Sequence, residues 1–114
     1  MVLCGANAYE QKYYLNPDFA ALPERIREEL RILCVLYTEE IGGIFTVEFD
    51  EAGRLLLKTS AAANDFMYDE IGAELKIKQL QTERQELFQS LELYYRVFCG
   101  SADAEDAVKE PEDA

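Results

Sequence analysis

Seven carboxylates have the clearest potential for chemistry in this sequence. They are Glu39, Glu40, Glu48, Asp65, Asp69, Glu70 and Glu74. Mg²⁺ and Mn²⁺ prefer carboxylate oxygens, and the last three of these residues would be neighbours on a helix. Such spacings are also common on solvated helix faces, and Lys78 follows Glu74 at the spacing of an ordinary helical ion pair. We therefore interpret the acidic residues as a solvated face, and predict neither a metal site nor a bound cofactor.

Catalytic motifs are missing from the sequence. There is no histidine, the commonest general base and the commonest neutral metal ligand. There is also no glycine-rich phosphate loop, no nucleophile elbow and no zinc-binding cysteine pattern. No residue is therefore assigned as catalytic, and the sequence favours a protein that is not an enzyme.

The aromatic side chains include seven tyrosines: Tyr9, Tyr13, Tyr14, Tyr37, Tyr68, Tyr94 and Tyr95. Tyrosine packs in cores with its hydroxyl at the rim, and it is also enriched at protein interfaces and in small-ligand pockets. Core packing is the simplest interpretation and interface use the next. A small-ligand- or divalent-metal-dependent enzyme built from tyrosine and carboxylate side chains is the alternative function.

The three cysteines, Cys4, Cys34 and Cys99, include no CxxC pair and do not indicate a disulfide framework. Cys34 lies in an apolar segment and is predicted to be a small core residue. Cys4 is the only candidate for an activated thiol, but no histidine or nearby cation supports that role.

Composition indicates a single soluble domain. The chain has 114 residues, is 49% hydrophobic and carries a formal charge of −12. That charge argues against nucleic acid and anionic membranes as partners, although an acidic decoy for a DNA-binding protein remains conceivable. No signal peptide or membrane-spanning segment is evident, so we expect a cytoplasmic protein.

Two helices are predicted in the first part of the chain. Asn7 can cap the first one, which should end before Pro17. Pro23 opens the second, and Gly42-Gly43 ends it. This second helix has an apolar stripe and further apolar residues around it, so it should be buried on most sides. The stripe is Ile26, Leu30, Leu33, Tyr37 and Ile41.

A β-hairpin follows the second helix. Residues 44–50 alternate in polarity, and Glu51-Ala52-Gly53 suits a three-residue loop. Counting outward from that loop pairs Phe49 with Leu55, Val47 with Leu57 and Phe45 with Thr59, which gives one face that is almost wholly apolar.

The last predicted element is a long helix, which starts at Asn64 or Asp65 and runs to Phe98. Met67, Ile71 and Leu75 form a first stripe, expected to pack beside the second helix. From Ile77 onward the apolar residues follow a heptad-like seam, with Arg84 as its one polar position. The acidic segment 101–114 is predicted to be a disordered tail.

Three segments of the chain resemble those of a known family. They are CGANAYEQKYYLNP at 4–17, TEEIGG at 38–43 and DFMYDEIG at 65–72. Residues 1–100 resemble a family of small uncharacterised cytosolic proteins from anaerobic Firmicutes. The resemblance implies no activity and no site residue, and it implies that the acidic tail lies outside the shared part.

We thus predict an α+β fold, mostly helical, in the order helix, helix, β-hairpin, long helix, with one domain over 1–100. Two strands alone make a marginal sheet with open edges, and the seam exceeds what one small core covers. Association of two copies solves both problems, first through packing of the two helix seams and second through edge-to-edge pairing of the two hairpins into a four-stranded sheet. We predict a non-enzymatic interaction or regulatory module that acts as a homodimer, with an unidentified protein partner also possible. The candidate interface residues are Ile77, Leu80, Arg84, Leu87, Leu91, Tyr94 and Phe98 in the seam, and Ile44 and Leu56 in the hairpin.

Overall fold

The computed structural model describes residues 1–100, without the side chains of residues 99 and 100. Its elements are β1 (Val2–Asn7), β2 (Lys12–Leu15), a 3₁₀ turn (Pro17–Phe19), α1 (Glu24–Ile41), β3 (Ile44–Phe49), β4 (Leu55–Ser60), α2 (Glu70–Glu83), α3 (Gln85–Tyr95) and a final π turn (Arg96–Gly100). The α+β class and the single small domain are confirmed. The predicted disordered tail over 101–114 lies outside the described residues.

The N-terminal segment is a β-hairpin, so the predicted first helix is wrong. Asn7 does cap a turn, because its side-chain oxygen accepts hydrogen bonds from the backbone N–H groups of Tyr9 and Glu10. The turn closes a hairpin instead of opening a helix, since Gln11 adopts a positive φ of 55° and the chain reverses into β2. The capping role of Asn7 was predicted correctly, but the same hydrogen bonds fit the start of a helix and the turn of a hairpin.

The N-terminal hairpin completes the sheet, whose strand order is β2-β1-β3-β4 with antiparallel pairing throughout. Cys4 lies opposite Val47, and Ala6 lies opposite Phe45. Gly5 is required between them, because a Cβ at this position would lie 2.8 Å from the carbonyl oxygen of Phe45. β1 and β3 are therefore the two central strands of the sheet, and β2 and β4 are its edges.

The second hairpin forms as predicted. Phe49 pairs with Leu55, Val47 with Leu57 and Phe45 with Thr59. The loop is closed by a hydrogen bond from the Asp50 N–H to the Arg54 carbonyl oxygen and by Gly53 at a φ of 82°. The apolar face of this hairpin is turned toward the helices.

The core lies between one face of the sheet and α1, as predicted. Leu30 and Cys34 are fully buried, and the Tyr37 ring stacks on Phe45 with 4.3 Å between centroids. The helix is more one-sided than expected, because Ile32 and Leu36 are 45% and 55% exposed. One layer of helices covers one side of the sheet, so the outer side of α1 faces solvent.

The predicted long helix is two helices. It begins at Glu70, where Asp69 caps it by accepting a hydrogen bond from the Gly72 N–H, rather than at Asn64 or Asp65. It breaks at Arg84, whose φ of −112° and ψ of 28° lie outside helical geometry. The break lets α3 cross to the second hairpin, where Tyr95 stacks on Phe49 at 4.3 Å.

Candidate interaction surface

Most of the predicted seam is internal to one chain. Ile77, Leu80, Leu87 and Leu91 are only 8%, 7%, 9% and 1% exposed, and they belong to the same core as the sheet. The break at Arg84 turns both helices so that these side chains face inward. A second copy could reach them only by opening the fold, so the seam does not supply the surface that the sequence analysis assigned to it.

The other candidate interface residues do not share one surface. Arg84 lies at the break between α2 and α3, whereas Tyr94 and Phe98 contact each other near the other end of α3, with 4.7 Å between ring centroids. Ile44 and Leu56 occupy outward-facing positions on the sheet, on the side away from the helices. These five residues therefore do not define a common interface.

A different apolar surface is exposed at the start of α2. It consists of Phe66, Met67, Ile71 and Leu75, which are 89%, 92%, 74% and 62% exposed. We call these four side chains the α2 stripe. Met67, Ile71 and Leu75 were predicted to pack beside α1, and that prediction is wrong.

The inward face of α2 begins instead at the small residue Ala73. The buried Tyr37 hydroxyl donates a hydrogen bond to the Ala73 carbonyl oxygen at 3.1 Å, which brings this side of α2 against α1. Ile77 and Leu80 continue the same face. Since Ile71 and Leu75 lie on a different side of the helix from Ala73, they are left in solvent.

The β4 edge lies next to the α2 stripe. Asp50 bonds to Arg54 across the hairpin, so alternate residues from Leu55 onward direct their backbone N–H and C=O groups away from β3. The outward N–H of Leu55 is already occupied, because it donates to the Glu92 carboxylate at 2.8 Å. Within the described residues, no hydrogen bond occupies the outward groups of Leu57 and Thr59.

A groove of about 580 Å³ joins the β4 edge to the α2 stripe. Thr59 and Tyr68 line the groove together with Ile71 and Leu75. Its remaining lining residues are Glu70, Ala73, Glu74 and Lys78. The groove thus combines open strand positions with apolar side chains, the two features by which an extended partner strand is recognised.

Tyrosines hold the segment that leads into α2. The Tyr68 and Thr59 hydroxyls are hydrogen-bonded to each other. The Tyr9 hydroxyl donates to the Asp65 carboxylate at 2.6 Å and accepts from the Ala62 N–H at 3.0 Å. The hydrogen bond to Asp65 is the main cause of a raised pKa at Tyr9. The start of α2 is therefore anchored to both the first hairpin and β4.

Four of the seven singled-out carboxylates make ion pairs or hydrogen bonds within the fold, including the bond between Asp65 and the Tyr9 hydroxyl. Glu40 pairs with Lys76 at 3.1 Å, Glu48 pairs with Lys58 at 3.2 Å, and Asp69 caps α2. In the part of the chain that the structure describes, no group of three or more histidine, cysteine or acidic residues is placed to hold a metal ion.

Sequence reasoning missed this surface because the α2 stripe has the spacing of a core stripe. The available signal was the apolar pair Phe66-Met67, which is flanked by the acidic residues Asp65, Asp69 and Glu70. The thiol candidate Cys4 was also misplaced, since it is fully buried in the central strand β1.

No helix among residues 1–100 combines the length and the apolarity needed to cross a membrane. Searches of curated proteins and of solved structures found no match to the chain. A family model described as a family of unknown function, DUF6145, matches residues 1–103, so the shared part extends slightly beyond the predicted limit at Gly100. The chain belongs to the DUF6145 family.

Proposed function

We propose that this protein is a non-enzymatic interaction module that acts as a homodimer, in which a second copy covers the α2 stripe and pairs with the β4 edge. The observation that supports this most directly is the exposure of four large apolar side chains beside an edge strand. A group of large exposed apolar side chains is typical of a protein interaction site. In the described residues, no observation favours the ligand- or metal-dependent enzyme, and we do not propose it.

The available area suits a dimer that uses both features. At about 25 cal/mol per Å², the roughly 1.5–3 kcal/mol gained by burying each of these side chains corresponds to about 60–120 Å², so the α2 stripe offers on the order of 300 Å² per protomer. A standard interface buries about 800 Å² per partner. The β4 edge and the walls of the groove supply the remaining contact.

The Glu92 carboxylate argues against one pairing register. An antiparallel pair centred on Leu57 would require the Leu55 N–H, which Glu92 already occupies. A pair centred on Thr59 leaves that bond intact and pairs Leu57 with Ala61 of the second copy. The twofold axis then passes beside the groove, so the two α2 stripes approach each other.

Charge at this register is compatible with self-association. Lys58 lies opposite Ser60 of the second copy, so no like charges face each other across the new strand pair. The overall charge of −12 opposes association at long range. We therefore expect a dimer that is held by apolar contacts and strengthened by salt.

The first test is the mass of the full chain in solution. Light scattering at tens of micromolar should give twice the 13.0 kDa of one chain. A mass of one chain throughout the accessible concentration range would overturn the homodimer. A monomer that nevertheless buries the α2 stripe against another protein would also count against the proposal, because the occupant would then be a different molecule.

A further inference from the structure

Two cysteine thiols meet in the core between the sheet and α1. The Sγ atoms of Cys4 in β1 and Cys34 in α1 are 3.7 Å apart, although the residues are 30 positions apart in sequence. Both side chains are fully buried, and both are in the thiol form. At this separation the sulfur atoms are in contact, and a disulfide at about 2.05 Å needs only a small approach.

The surroundings disfavour the thiolate of Cys34. The pKa of Cys34 is raised, first by its hydrogen bond with Cys4 and then by burial. The neighbouring Tyr13 hydroxyl is also buried, and it has no hydrogen-bond partner among the described residues. Its pKa is raised by burial and by the two thiols. Cys34 thus reacts slowly in the folded chain, because the thiolate is the nucleophile in thiol oxidation, and burial keeps peroxide away from both thiols.

We propose that Cys4 and Cys34 form an intramolecular disulfide on exposure to a peroxide, and that this bond clamps β1 of the sheet to α1. The inference is independent of the proposed homodimer, since both thiols lie in the core of one chain.

The reaction balances with one molecule of hydrogen peroxide. The thiolate of one cysteine attacks a peroxide oxygen, which breaks the O–O bond, gives a sulfenic acid and releases hydroxide that takes up the thiol proton to become water. The second thiol attacks the sulfenic sulfur, and the S–O bond breaks with loss of a second water. In total the two cysteines lose two protons and two electrons, which reduce the peroxide to two waters.

Local opening should control the rate of this step. The Met1 amino group and carbonyl oxygen are both bonded to Phe49, and these contacts hold the start of β1 in place. Mild denaturant that loosens β1 without unfolding the chain should therefore speed disulfide formation. The disulfide should raise the thermal midpoint of unfolding, because it closes a loop of about 30 residues and so lowers the conformational entropy of the unfolded chain.

The test uses the full chain with Cys99→Ser, which leaves the pair as the only cysteines. After oxidation by hydrogen peroxide and proteolysis without reductant, mass spectrometry should show a peptide linked through Cys4 and Cys34, lighter by two hydrogen atoms than the two separate peptides. The thermal midpoint should rise by at least about 5 °C and return on reduction.

A matched control is Cys34→Ala in the Cys99→Ser background, which should gain oxygen at Cys4 and form no intramolecular link. If this variant does not fold, the peptide map of Cys99→Ser is still decisive. Peroxide exposure that fully oxidises a glutathione standard but leaves the pair unlinked would overturn the proposal. A linked pair whose thermal midpoint does not rise would overturn the clamp.

Discussion

Replacement of Leu75 by aspartate tests the role of the α2 stripe. Leu75 is 62% exposed in a single chain, so Leu75→Asp should have little effect on folding of the protomer. In the dimer the same side chain would be covered by the second copy. The variant should therefore weaken association specifically.

The expected loss follows from the exposed fraction. Complete burial of a leucine side chain is worth about 1.5–3 kcal/mol, so covering the exposed part of Leu75 is worth about 1–2 kcal/mol per protomer. A symmetric dimer contains this contact twice, which gives about 2–4 kcal/mol. The dimer Kd should rise by roughly 30- to 700-fold, before any cost of burying the new carboxylate.

The assay is sedimentation equilibrium over a concentration series, with thermal unfolding as a check that the protomer remains folded. Leu36→Asp is the matched control, because Leu36 is a leucine on α1 with a similar exposure of 55%. The control should keep the wild-type Kd. Equal weakening by both variants, or no weakening by Leu75→Asp, would refute the assignment of the α2 stripe to the interface.

Three further predictions concern charge, packing and ionisation. Raising NaCl from about 50 to 500 mM should lower the dimer Kd in sedimentation experiments, because salt screens the repulsion between two chains of charge −12. A higher Kd at high salt would mean that attractive ion pairs hold the dimer. Gly5→Ala should lower the free energy of unfolding by about 2 kcal/mol or more in urea titrations, since the Cβ of the alanine would lie 2.8 Å from the Phe45 carbonyl oxygen. An unchanged midpoint of urea unfolding would show that the sheet shifts to accommodate the methyl group. The pKa of Tyr37 is raised from 10.0, chiefly by burial. The stability that this neutral hydroxyl contributes is therefore complete below pH 10 and is lost as the pH rises through the folded-state pKa. Tyr37→Phe should reduce this loss of stability at alkaline pH, and a pH profile of unfolding identical to that of the wild type would contradict the prediction.

Local pattern was sufficient for the second hairpin. Strand alternation and a three-residue loop ending in Gly53 determined the register from Phe49 to Thr59, and all of that information lies within about 20 residues of sequence. The first hairpin could not be found in this way. The partner of β1 in the centre of the sheet is β3, some 40 residues later, and the Asn7 turn is compatible with a helix as well as a strand.

Four seam residues that were predicted to lie in an interface are buried in the core, and the reason is a different one. Periodicity shows that one side of a helix is covered, but it does not show whether the same chain or another one covers it. The seam from Ile77 to Leu91 had the more regular pattern and proved to be core. The stripe through Ile71 and Leu75 was expected to be core and is exposed. The position of α1 and the break at Arg84 determine which of these two helix faces is buried. Neither of them can be predicted from helical periodicity.

Amide hydrogen exchange of β4 tests the central claim most directly. If a second copy pairs with the β4 edge, exchange at Leu57 and Thr59 should slow as the protein concentration rises through the dimer Kd. The Leu55 amide is an internal control, because its bond to Glu92 exists in the single chain and should keep its exchange rate constant. Rates at Leu57 and Thr59 that do not change with concentration, while the mass doubles, would contradict pairing through this edge.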